Sequence, residues 1–319
     1  MTRPFRFIAP MPSPDGTAAA WVDAVRRIED LGFDAVSVSE HLSGGWRFEA
    51  LSAMHSILAA TTRLRVMSLV LANDFRNPVL LHKAAATMDF LSGGRLELGL
   101  GAGWLERDYS SAGLPFSTAV ARIERLEEAV TIIKGLFAES TYSFAGRHYT
   151  VADAQGLPRP TQLPHPPILI GGGGPRILGV AARQADIIGV HARLDTTAVG
   201  PRATRDLSEE AVAAKVGITM EALRAAGRSP DAVELQWTIY ECRITDRPSA
   251  QVDDVASSFS AFLRSDPDLA TRSPAVLVGS FAACVDRLLE LRERFGFSVF
   301  KLSGRPEATS PIVSALSGR

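Results

Sequence analysis

Short apolar runs alternate along this chain with longer stretches whose apolar residues recur at helical spacing. This alternation indicates βα units arranged around a parallel sheet. The runs that predict strands are FRFIA (5–9), AVSVS (35–39), LRVMSLVLA (64–72), RLELGLGAG (95–103), PPILIG (166–171), ADIIGVH (185–191), VELQWTIYECRIT (233–245) and SVFKLSG (298–304). Eight strands, each with a helix behind it, predict an α/β fold of the (β/α)8 TIM-barrel class with insertions, rather than an open doubly wound sheet.

The chain is expected to form one domain over residues 1–319, since no linker, internal repeat or low-complexity tract interrupts the alternation. Three segments exceed ordinary connections and are expected to be insertions, at about 140–165, 191–207 and 264–278. In the first of them, TYSFAGRHYTV predicts a hairpin or an extended excursion. Long connections in a compact fold cover a site or lack order.

The composition narrows the class of partner. The chain has 34 basic and 35 acidic residues, so neither nucleic acid nor an anionic membrane is expected to bind, and the expected partner is a small molecule. The opening residues MTRPFRFIAPMP lack the apolar stretch of a secretory signal, and no run is long enough for a membrane span. We therefore expect a cytoplasmic protein without membrane helices. Cys242 and Cys284 are expected to be reduced core residues, because they lie far apart without CxxC spacing.

The active site of a TIM barrel lies where the strands end, so position selects among the polar residues. Glu40 and His41 follow the second predicted strand, and His41 is the best candidate for an acid, a base or a hydrogen-bond donor, because imidazole titrates near neutral pH. The alternative is a histidine that ties its loop to a carbonyl. The other polar residues at strand ends are Asn73, Asp74, Arg76, Trp104, Arg107, Asp108, His191 and Arg193, with Tyr240, Glu241 and Lys301 as weaker candidates.

Several catalytic motifs are missing from the sequence. It has no GxSxG elbow, no GxxxxGK[ST] loop and no spaced set of metal ligands, so no metal site is expected. GLGAG (99–103) matches a dinucleotide fingerprint only loosely. Its expected use is to let a flat ligand approach the backbone at the end of the fourth strand. His55, His82, His148 and His165 lie in helical stretches or in an insertion and are expected to be structural.

Four consecutive glycines, in ILIGGGGPRILGVAARQAD (168–186), lie between the fifth predicted strand and a helix. Backbone N–H groups at the start of a helix have no partner within it, and the helix dipole favours an anion there. Arg176 adds a charge that can contact the same anion. The run therefore predicts a phosphate cradle, with a structural turn as the alternative. If it is a cradle, a bulky residue at Gly173 is expected to weaken ligand binding far more than stability.

Four stretches together resemble the luciferase-like monooxygenase superfamily, a bacterial-luciferase type of TIM barrel that uses FMN or the deazaflavin coenzyme F420. They are AVSVSEH, NPVLLHKAAATMDFLSGGRLELGLGAGW, RPTQLPHPPILIGGGGPRILGVAARQADIIG and VGSFAACVDRLLELRERFG. The resemblance covers almost the whole chain, and the second and third stretches are its most specific part.

The resemblance implies a cofactor whose phosphate lies in the glycine loop and whose tricyclic ring lies across the barrel mouth. It assigns the ring's support to a bulge at Ser68, Leu69 and Val70, with a non-proline cis peptide near Leu69–Val70. It also implies a homodimer that packs through helices near strands two and three. The cofactor residues predicted in this way are Ser68, Leu69, Val70, Asn73, Ala102, Gly103, Gly172, Gly173, Gly174, Pro175 and Arg176.

The SEH after the second strand, the FRF near the start and the four-glycine loop look like the F420-dependent oxidoreductase branch known from actinobacteria. The function expected from this resemblance is hydride transfer between F420 and a small organic substrate, with His41 or Glu40 handling the proton. One alternative is an FMN-dependent monooxygenase that uses oxygen and reduced FMN supplied by a partner reductase. Another is a barrel that binds a ligand without turning it over.

One departure from the family pattern concerns the substrate. The F420-dependent sugar-phosphate dehydrogenases carry an acidic glutamate directly after the glycines of the fourth strand, where this chain has Trp104. Tryptophan cannot donate that proton, so sugar-phosphate oxidation is disfavoured. Trp104, Arg107 and His191 are expected to form the substrate pocket.

Overall fold

The computed structural model describes residues 3–46, 48–246, 266 and 272–319, and within them the predicted α/β barrel is confirmed. In chain order the strands are β1 (Arg6–Pro10), β2 (Ala35–Val38), β3 (Arg65–Ser68), β4 (Leu71–Ala72), β5 (Leu96–Gly101), β6 (Thr141–Ala145), β7 (Thr150–Gln155), β8 (Ile168–Gly172), β9 (Ile187–Val190), β10 (Glu234–Ile239), β11 (Glu241–Ile244), β12 (Val276–Gly279) and β13 (Phe297–Leu302).

Helices pack around the outside of the strands. Within the described ranges they are α1 (Ala18–Asp30), α2 (Ala50–Ala60), α3 (Pro78–Ser92), α4 (Glu106–Ser111), α5 (Ala119–Ala138), α6 (Pro175–Gln184), α7 (Pro201–Arg205), α8 (Glu209–Ala225), α9 (Phe281–Phe295) and α10 (Pro306–Leu316). None of these helices is both long and apolar enough to cross a membrane.

The barrel strands are parallel and follow the order β3–β2–β1–β13–β10–β9–β8–β5–β4. A further pairing between β3 and β5 closes the ring, and β4 pairs with β5 above it, so β3 and β4 are two halves of one strand position. The register places Ile8 of β1 beside Ala35 of β2 and Lys301 of β13. Side chains alternate between the barrel interior and the helix layer, as in other TIM barrels.

Two predicted strands are interrupted, and both interruptions lie near the barrel mouth. The strand predicted over 64–72 breaks between β3 and β4, at Leu69 and Val70. The strand predicted over 233–245 breaks at Tyr240, where the backbone N–H groups of Tyr240 and Glu241 donate to the carbonyl of Ala275. β11 consequently leaves the barrel and pairs in parallel with β12.

The first predicted insertion contains the hairpin that the sequence indicates, since β6 and β7 pair in antiparallel fashion. The second contains α7. In the third, residues 264, 265 and 267–271 lie outside the described residues, and β12 occupies its end. The single-domain organisation with these insertions stays a prediction.

The two faces of the barrel sheet bury separate apolar clusters. The larger one joins the outer strand positions to the helices, and Phe7, Val25 and Leu288 belong to it. The smaller one fills the barrel interior and consists of Ile8, Ala35, Met67, Leu69, Leu169, Ile187 and Val299. Burial on both faces explains why the predicted strands are almost continuously apolar.

Helix α3 shows how local sequence sets the ends of an element. The Asn77 side chain accepts a hydrogen bond from the N–H of Val79 at 2.9 Å, and Pro78 occupies the first helical position, where a missing N–H costs nothing. Gly93 ends the helix with a φ of 69°, a left-handed conformation that favours glycine.

Charged side chains close the amino-terminal end of the barrel. Arg6 pairs with Glu97, and its other guanidinium nitrogen lies 2.7 Å from Glu234. Arg65 Nε donates to the same Glu97 at 2.5 Å. The acidic partner Glu97 is only 1% exposed, so this group is a buried ion-pair cluster. We call Arg6, Arg65, Glu97 and Glu234 the amino-terminal charge cluster.

Candidate active site

A cavity of about 810 Å³ opens at the carboxyl ends of the barrel strands. This is the end at which TIM-barrel active sites form. Its lining contains these residues predicted from the sequence: Glu40, His41, Leu69, Val70, Ala102, Gly103, Trp104, Gly172, Gly173, Gly174 and His191.

Eight predicted residues are described but do not line this cavity: Ser68, Asn73, Asp74, Arg76, Arg107, Pro175, Arg176 and Glu241. Ser68 is buried beneath the site, where its Oγ donates to the carbonyl of Gly99 at 2.9 Å and accepts from the N–H of Gly99 at 2.7 Å. Asn73 Nδ2 donates to the hydroxyl of Tyr149 at 3.2 Å. Ser68 therefore fixes the end of β3 against β5, and Asn73 holds the hairpin.

Two predicted cations point away from the cavity. Arg107 is exposed on α4. Arg176 is exposed on the first turn of α6, with Nη1 3.8 Å from Oε1 of Glu124. Arg176 adds positive charge beside the glycine loop without entering the cavity.

Glycines on the barrel strands leave space at the barrel mouth. A Cβ on Gly101 would lie 2.7 Å from Cγ2 of Val70, and a Cβ on Gly189 would lie 2.7 Å from Nε2 of His191. At Gly171 a Cβ would lie 3.0 Å from the same nitrogen. Val70 and His191 therefore reach into space that side chains on these strands would fill, and they form part of the cavity wall.

The Leu69–Val70 peptide bond is cis, at the position that the family resemblance implies. The bulge is held from β2, because Ser39 Oγ donates to the carbonyl of Leu69 at 3.0 Å. Glu40 accepts from the N–H of Ala72 at 2.9 Å and forms an ion pair with Arg76 through both carboxylate oxygens. These contacts favour a positioning role for Glu40 over the predicted proton transfer.

His41 is oriented by a carboxylate far away in sequence. Its Nδ1 lies 2.7 Å from Oδ2 of Asp108, although 67 residues separate them. Oδ1 of Asp108 accepts from the N–H of Leu42 at 3.1 Å and from Ser43 Oγ at 2.5 Å. Asp108 therefore fixes both the His41 ring and the loop that carries it.

The pKa of Asp108 determines which nitrogen of His41 carries the proton. Burial raises the pKa of this carboxyl group, but hydrogen bonds from Ser43 and His41 outweigh burial and lower the pKa below its ordinary value. An ionised carboxylate only accepts hydrogen bonds, so Nδ1 of His41 is the donor. In neutral His41 the lone pair is then on Nε2, which is the nitrogen able to act as a base.

Aromatic rings flank His41. The ring centroid of Trp46 lies 5.2 Å from that of His41, and Trp104 approaches edge-on at 5.8 Å. Both tryptophans line the cavity together with Phe75. The site thus offers flat apolar walls beside one titratable group, a lining typical of small-molecule sites.

The glycine loop ends at an open helix N-terminus. Gly174 is the N-cap of α6 and has no side chain, and no hydrogen bond from a described side chain caps this helix. Pro175 has no N–H, so Arg176 and Ile177 supply the first backbone donors of α6, which an intrahelical acceptor cannot satisfy. These donors and the helix dipole favour an anion at the cavity edge.

Three of the four glycines, Gly171, Gly172 and Gly173, are required for space, and none is required for an unusual backbone. None of residues 171–174 has a positive φ. A Cβ on Gly173 would lie 2.4 Å from the carbonyl oxygen of His191, whereas a Cβ on Gly174 would meet no atom within 4 Å. A bulky residue at Gly173 therefore disturbs the backbone as well as any ligand, which corrects the prediction that it mainly affects binding. Gly174 is the position that separates the two effects.

His191 lines the cavity with an unsatisfied nitrogen. Its Nε2 is buried without a hydrogen-bond partner. Burial, together with the charges of Lys301 and Lys215, lowers the pKa of His191 to about 4. His191 is therefore neutral at pH 7.

Sequence reasoning overlooked several lining residues, among them Ser39, Ser43, Trp46, Tyr109 and Thr238. Ser43 and Trp46 follow His41 within the same loop, so proximity in sequence was a usable signal. Asp108 was selected by its place after the fourth strand, but no sequence pattern joins it to His41.

The described residues fit a phosphate joined to a planar ring. The open end of α6 suits the phosphate, while the cis bulge, Ala102 and Gly103 expose backbone beside the cavity. A metal site has no comparable basis, because no three metal-ligating side chains group together in the part of the chain that is described.

Comparison with known proteins finds relatives that are named as FMNH2-dependent and as F420-dependent enzymes. An FMNH2-dependent dimethylsulfone monooxygenase of Pseudomonas putida is 28% identical over 203 residues, which are 58% of this chain and 56% of that protein. An F420-dependent glucose-6-phosphate dehydrogenase of Amycolatopsis mediterranei (strain U-32) is 34% identical over 172 residues, which are 52% and 51% of the two chains. This chain thus spans about half the length of these curated relatives.

A solved structure of an F420-dependent secondary alcohol dehydrogenase in complex with an F420-acetone adduct superposes over 99% of both chains, with a TM-score of 0.77 and 17% identity. This similarity shows a shared fold. The model of the luciferase-like monooxygenase family matches residues 5–298, a range that includes the cis bulge, the glycine loop and the His41–Asp108 pair. The protein belongs to the luciferase-like monooxygenase family.

Proposed function

We propose that this protein is an oxidoreductase that transfers a hydride between coenzyme F420 and a small organic substrate at the barrel mouth. The proposal rests on one cavity that is bordered both by the uncapped N-terminus of α6 and by His41, which Asp108 orients. The similarity to an F420-dependent dehydrogenase supports the choice of cofactor. Hydride donation and acceptance are the chemistry that F420 supplies when it is bound.

The chain's own residues bind and orient the reactants. The backbone of Gly172, Gly173 and Gly174, with the first N–H groups of α6, holds the cofactor phosphate, and Arg176 strengthens that site through its charge. The Leu69–Val70 bulge supports the ring. Fixing the reacting atoms in this way replaces a bimolecular encounter by a positioned one.

His41 is the proposed proton-transfer group. Asp108 holds the Nδ1 proton, so Nε2 accepts a proton from the substrate during oxidation and returns it during reduction. Trp46 and Trp104 place aromatic rings beside His41.

The proposed substrate is not a sugar phosphate, even though one relative carries that activity in its name. Trp104 lines the cavity where the family resemblance implies a glutamate in the sugar-phosphate dehydrogenases. Trp104 and His191 are proposed as substrate contacts, whereas Arg107 is exposed and lies outside the cavity lining.

The proposal is tested by titrating purified protein with F420 and following its fluorescence. We expect a saturable change at micromolar F420, followed by hydride exchange between bound F420 and screened alcohols or enones. An unchanged signal at micromolar F420 contradicts the proposal. Binding without any exchange favours a barrel that holds the cofactor and does not turn it over.

An FMN-dependent monooxygenase is the second candidate, because an FMNH2-dependent relative is as extensively similar. The same residues would then hold FMN phosphate, and a partner reductase would supply the reduced cofactor. Oxygen consumption with reduced FMN, greater in the presence of a substrate, distinguishes this function from hydride transfer to F420.

We also propose a homodimer that packs through α3. Leu80 and Leu91 are 69% and 64% exposed, and their spacing of about three turns places them on one side of α3. We expect light scattering to give a dimer mass and Leu91→Glu to give a monomer. Leu289→Glu, on α9, is the matched control, and an equal mass for all three proteins contradicts this interface.

A further inference from the structure

Lys301 is a charged residue of the cavity without a partner. It lies in β13, beside Thr238 of β10 in the barrel register, and it lines the cavity. Within the described chain it makes no hydrogen bond and no ion pair. Burial lowers the pKa of its ammonium group, as expected for a cation that has lost water without gaining an acceptor.

The carboxylates of the cavity are already engaged elsewhere. Glu40 is paired with Arg76, and Asp108 accepts from His41, Ser43 and Leu42. The described lining therefore contains no free carboxylate for Lys301. Lys301 is half-buried and lines the cavity, so an acceptor for its charge has to come from water or from a ligand.

His191 provides a second unsatisfied group in the same cavity. Its Nε2 is buried without a partner, and the charge of Lys301 is close enough to contribute to its lowered pKa. Nε2 is closed off from the cavity and lies against Gly171 and Gly189, so the ring borders the cavity as a neutral group. Lys301 is the group that lacks an acceptor, and a ligand in the cavity can supply one.

We propose that Lys301 and His191 form a subsite for a carboxylate on the substrate. This inference rests on the proposed function, because it specifies what the oxidoreductase acts on. Lys301 supplies one positive charge and neutral His191 adds none, so a monoanion balances the subsite, whereas a phosphate dianion leaves one charge uncompensated. The substrate class is therefore an organic acid, with the group to be oxidised or reduced within reach of His41.

The experiment uses 1-naphthoate and its neutral counterpart 1-naphthamide, whose rings suit the tryptophan-lined cavity. Isothermal titration of the full chain is expected to give naphthoate an affinity about 10- to 100-fold higher than that of the amide, the worth of one hydrogen-bonded charge. Lys301→Met is expected to abolish this preference, and Lys301→Arg to retain most of it. Equal affinities of the two probes for the wild type, or an unchanged preference in Lys301→Met, overturn the proposal.

Lys134→Met is the matched control. Lys134 is also a partly buried lysine with a lowered pKa, but its Nζ donates to the carbonyl of Gln184 outside the cavity. This variant is expected to keep the preference for naphthoate. If both lysine variants lose it equally, the effect belongs to folding and the subsite is refuted.

Histidine NMR of the wild type gives a readout that needs no variant. His82 and His191 both have a pKa lowered to about 4, but only His191 lines the cavity. Naphthoate is expected to raise the pKa of His191 and to leave that of His82 unchanged, because a nearby anion favours the charged imidazole. No shift at His191 under saturating naphthoate contradicts the proposal.

Failure of the proposed function is distinguished by a separate F420 titration of the same proteins. Naphthoate selectivity without F420 binding supports the subsite and refutes the cofactor. F420 binding without naphthoate selectivity refutes the subsite alone.

Discussion

The two ends of the barrel differ in whether their charged side chains have partners within the protein. At the amino-terminal end, each member of the charge cluster Arg6, Arg65, Glu97 and Glu234 has an oppositely charged partner. At the carboxyl end, Lys301 has no partner in the part of the chain that is described, and Nε2 of His191 is buried without one.

The difference shows which end is built for stability and which for a ligand. At the amino-terminal end the charges compensate one another inside the protein, although Oε2 of Glu97 is buried without a hydrogen-bond partner. At the mouth, glycines leave room and two polar groups remain unsatisfied, although filling and pairing them would stabilise the fold. A structure that keeps such groups is expected to satisfy them with a ligand.

The largest effect is expected from breaking the amino-terminal charge cluster. Glu97→Gln removes the shared partner of two guanidinium groups and is expected to lower the free energy of unfolding by about 3–5 kcal/mol. Chemical denaturation measures this loss, with exposed Glu139→Gln as the control. F420 affinity is expected to be unchanged. A large loss of F420 affinity in folded Glu97→Gln would contradict the separation of stability at one end of the barrel from ligand binding at the other.

A smaller stability effect is expected at the mouth on acidification. The pKa of His191 is about 4 in the folded protein, below its ordinary value of 6.5. Between these two pH values the imidazole is therefore protonated in the unfolded chain and neutral in the folded chain. The stability from neutral His191 is fully present above pH 6.5 and is lost as the pH falls towards 4.

Between pH 7 and pH 5, the wild type is expected to lose about 2 kcal/mol more unfolding free energy than His191→Gln. Denaturation at both pH values measures the difference. His55→Gln, at an exposed position, is the control and should match the wild type. A His191→Gln variant as acid-sensitive as the wild type contradicts the burial of a neutral imidazole.

A further effect of comparable size is expected on catalysis. Asp108→Asn removes the carboxylate that orients His41 and is expected to lower kcat about 10- to 100-fold, with little change in F420 affinity. Asp23→Asn on exposed α1 serves as the control in the same steady-state assay. Unchanged kcat in Asp108→Asn would remove His41 from the proposed mechanism.

Much of the barrel could be predicted from sequence, because strands buried on both faces leave a continuous apolar signal. FRFIA and AVSVS match β1 and β2 to within a residue. The glycine loop was also visible, since four glycines before a helix form a local pattern. The break at Leu69 was expected from the family resemblance and not from the apolar pattern, and the break at Tyr240 was not expected. Both involve hydrogen bonds with residues elsewhere in the chain, Ser39 and Ala275.

The chemistry of the site was only partly predictable. Strand-end position selected His41, Asp108 and His191, but the pairing of His41 with Asp108 spans 67 residues. The role of Glu40 depends on its ion pair with Arg76, which favours positioning over proton donation. In the same way, the role of Lys301 depends on whether an anion lies beside it. These are tertiary contacts, which residue order alone does not encode in any local pattern.

The central claim is that the bare glycine loop at the mouth holds the phosphate of F420. Its most direct test is an F420 titration of wild type, Gly174→Ala and Gly174→Asp. A Cβ at Gly174 meets no atom within 4 Å, so both variants fit, but the aspartate carboxylate caps α6 and competes for the donors that the phosphate needs. We expect wild-type F420 affinity for Gly174→Ala and about tenfold weaker binding for Gly174→Asp, without loss of thermal stability. Equal F420 affinity in all three proteins would contradict a phosphate site at the glycine loop.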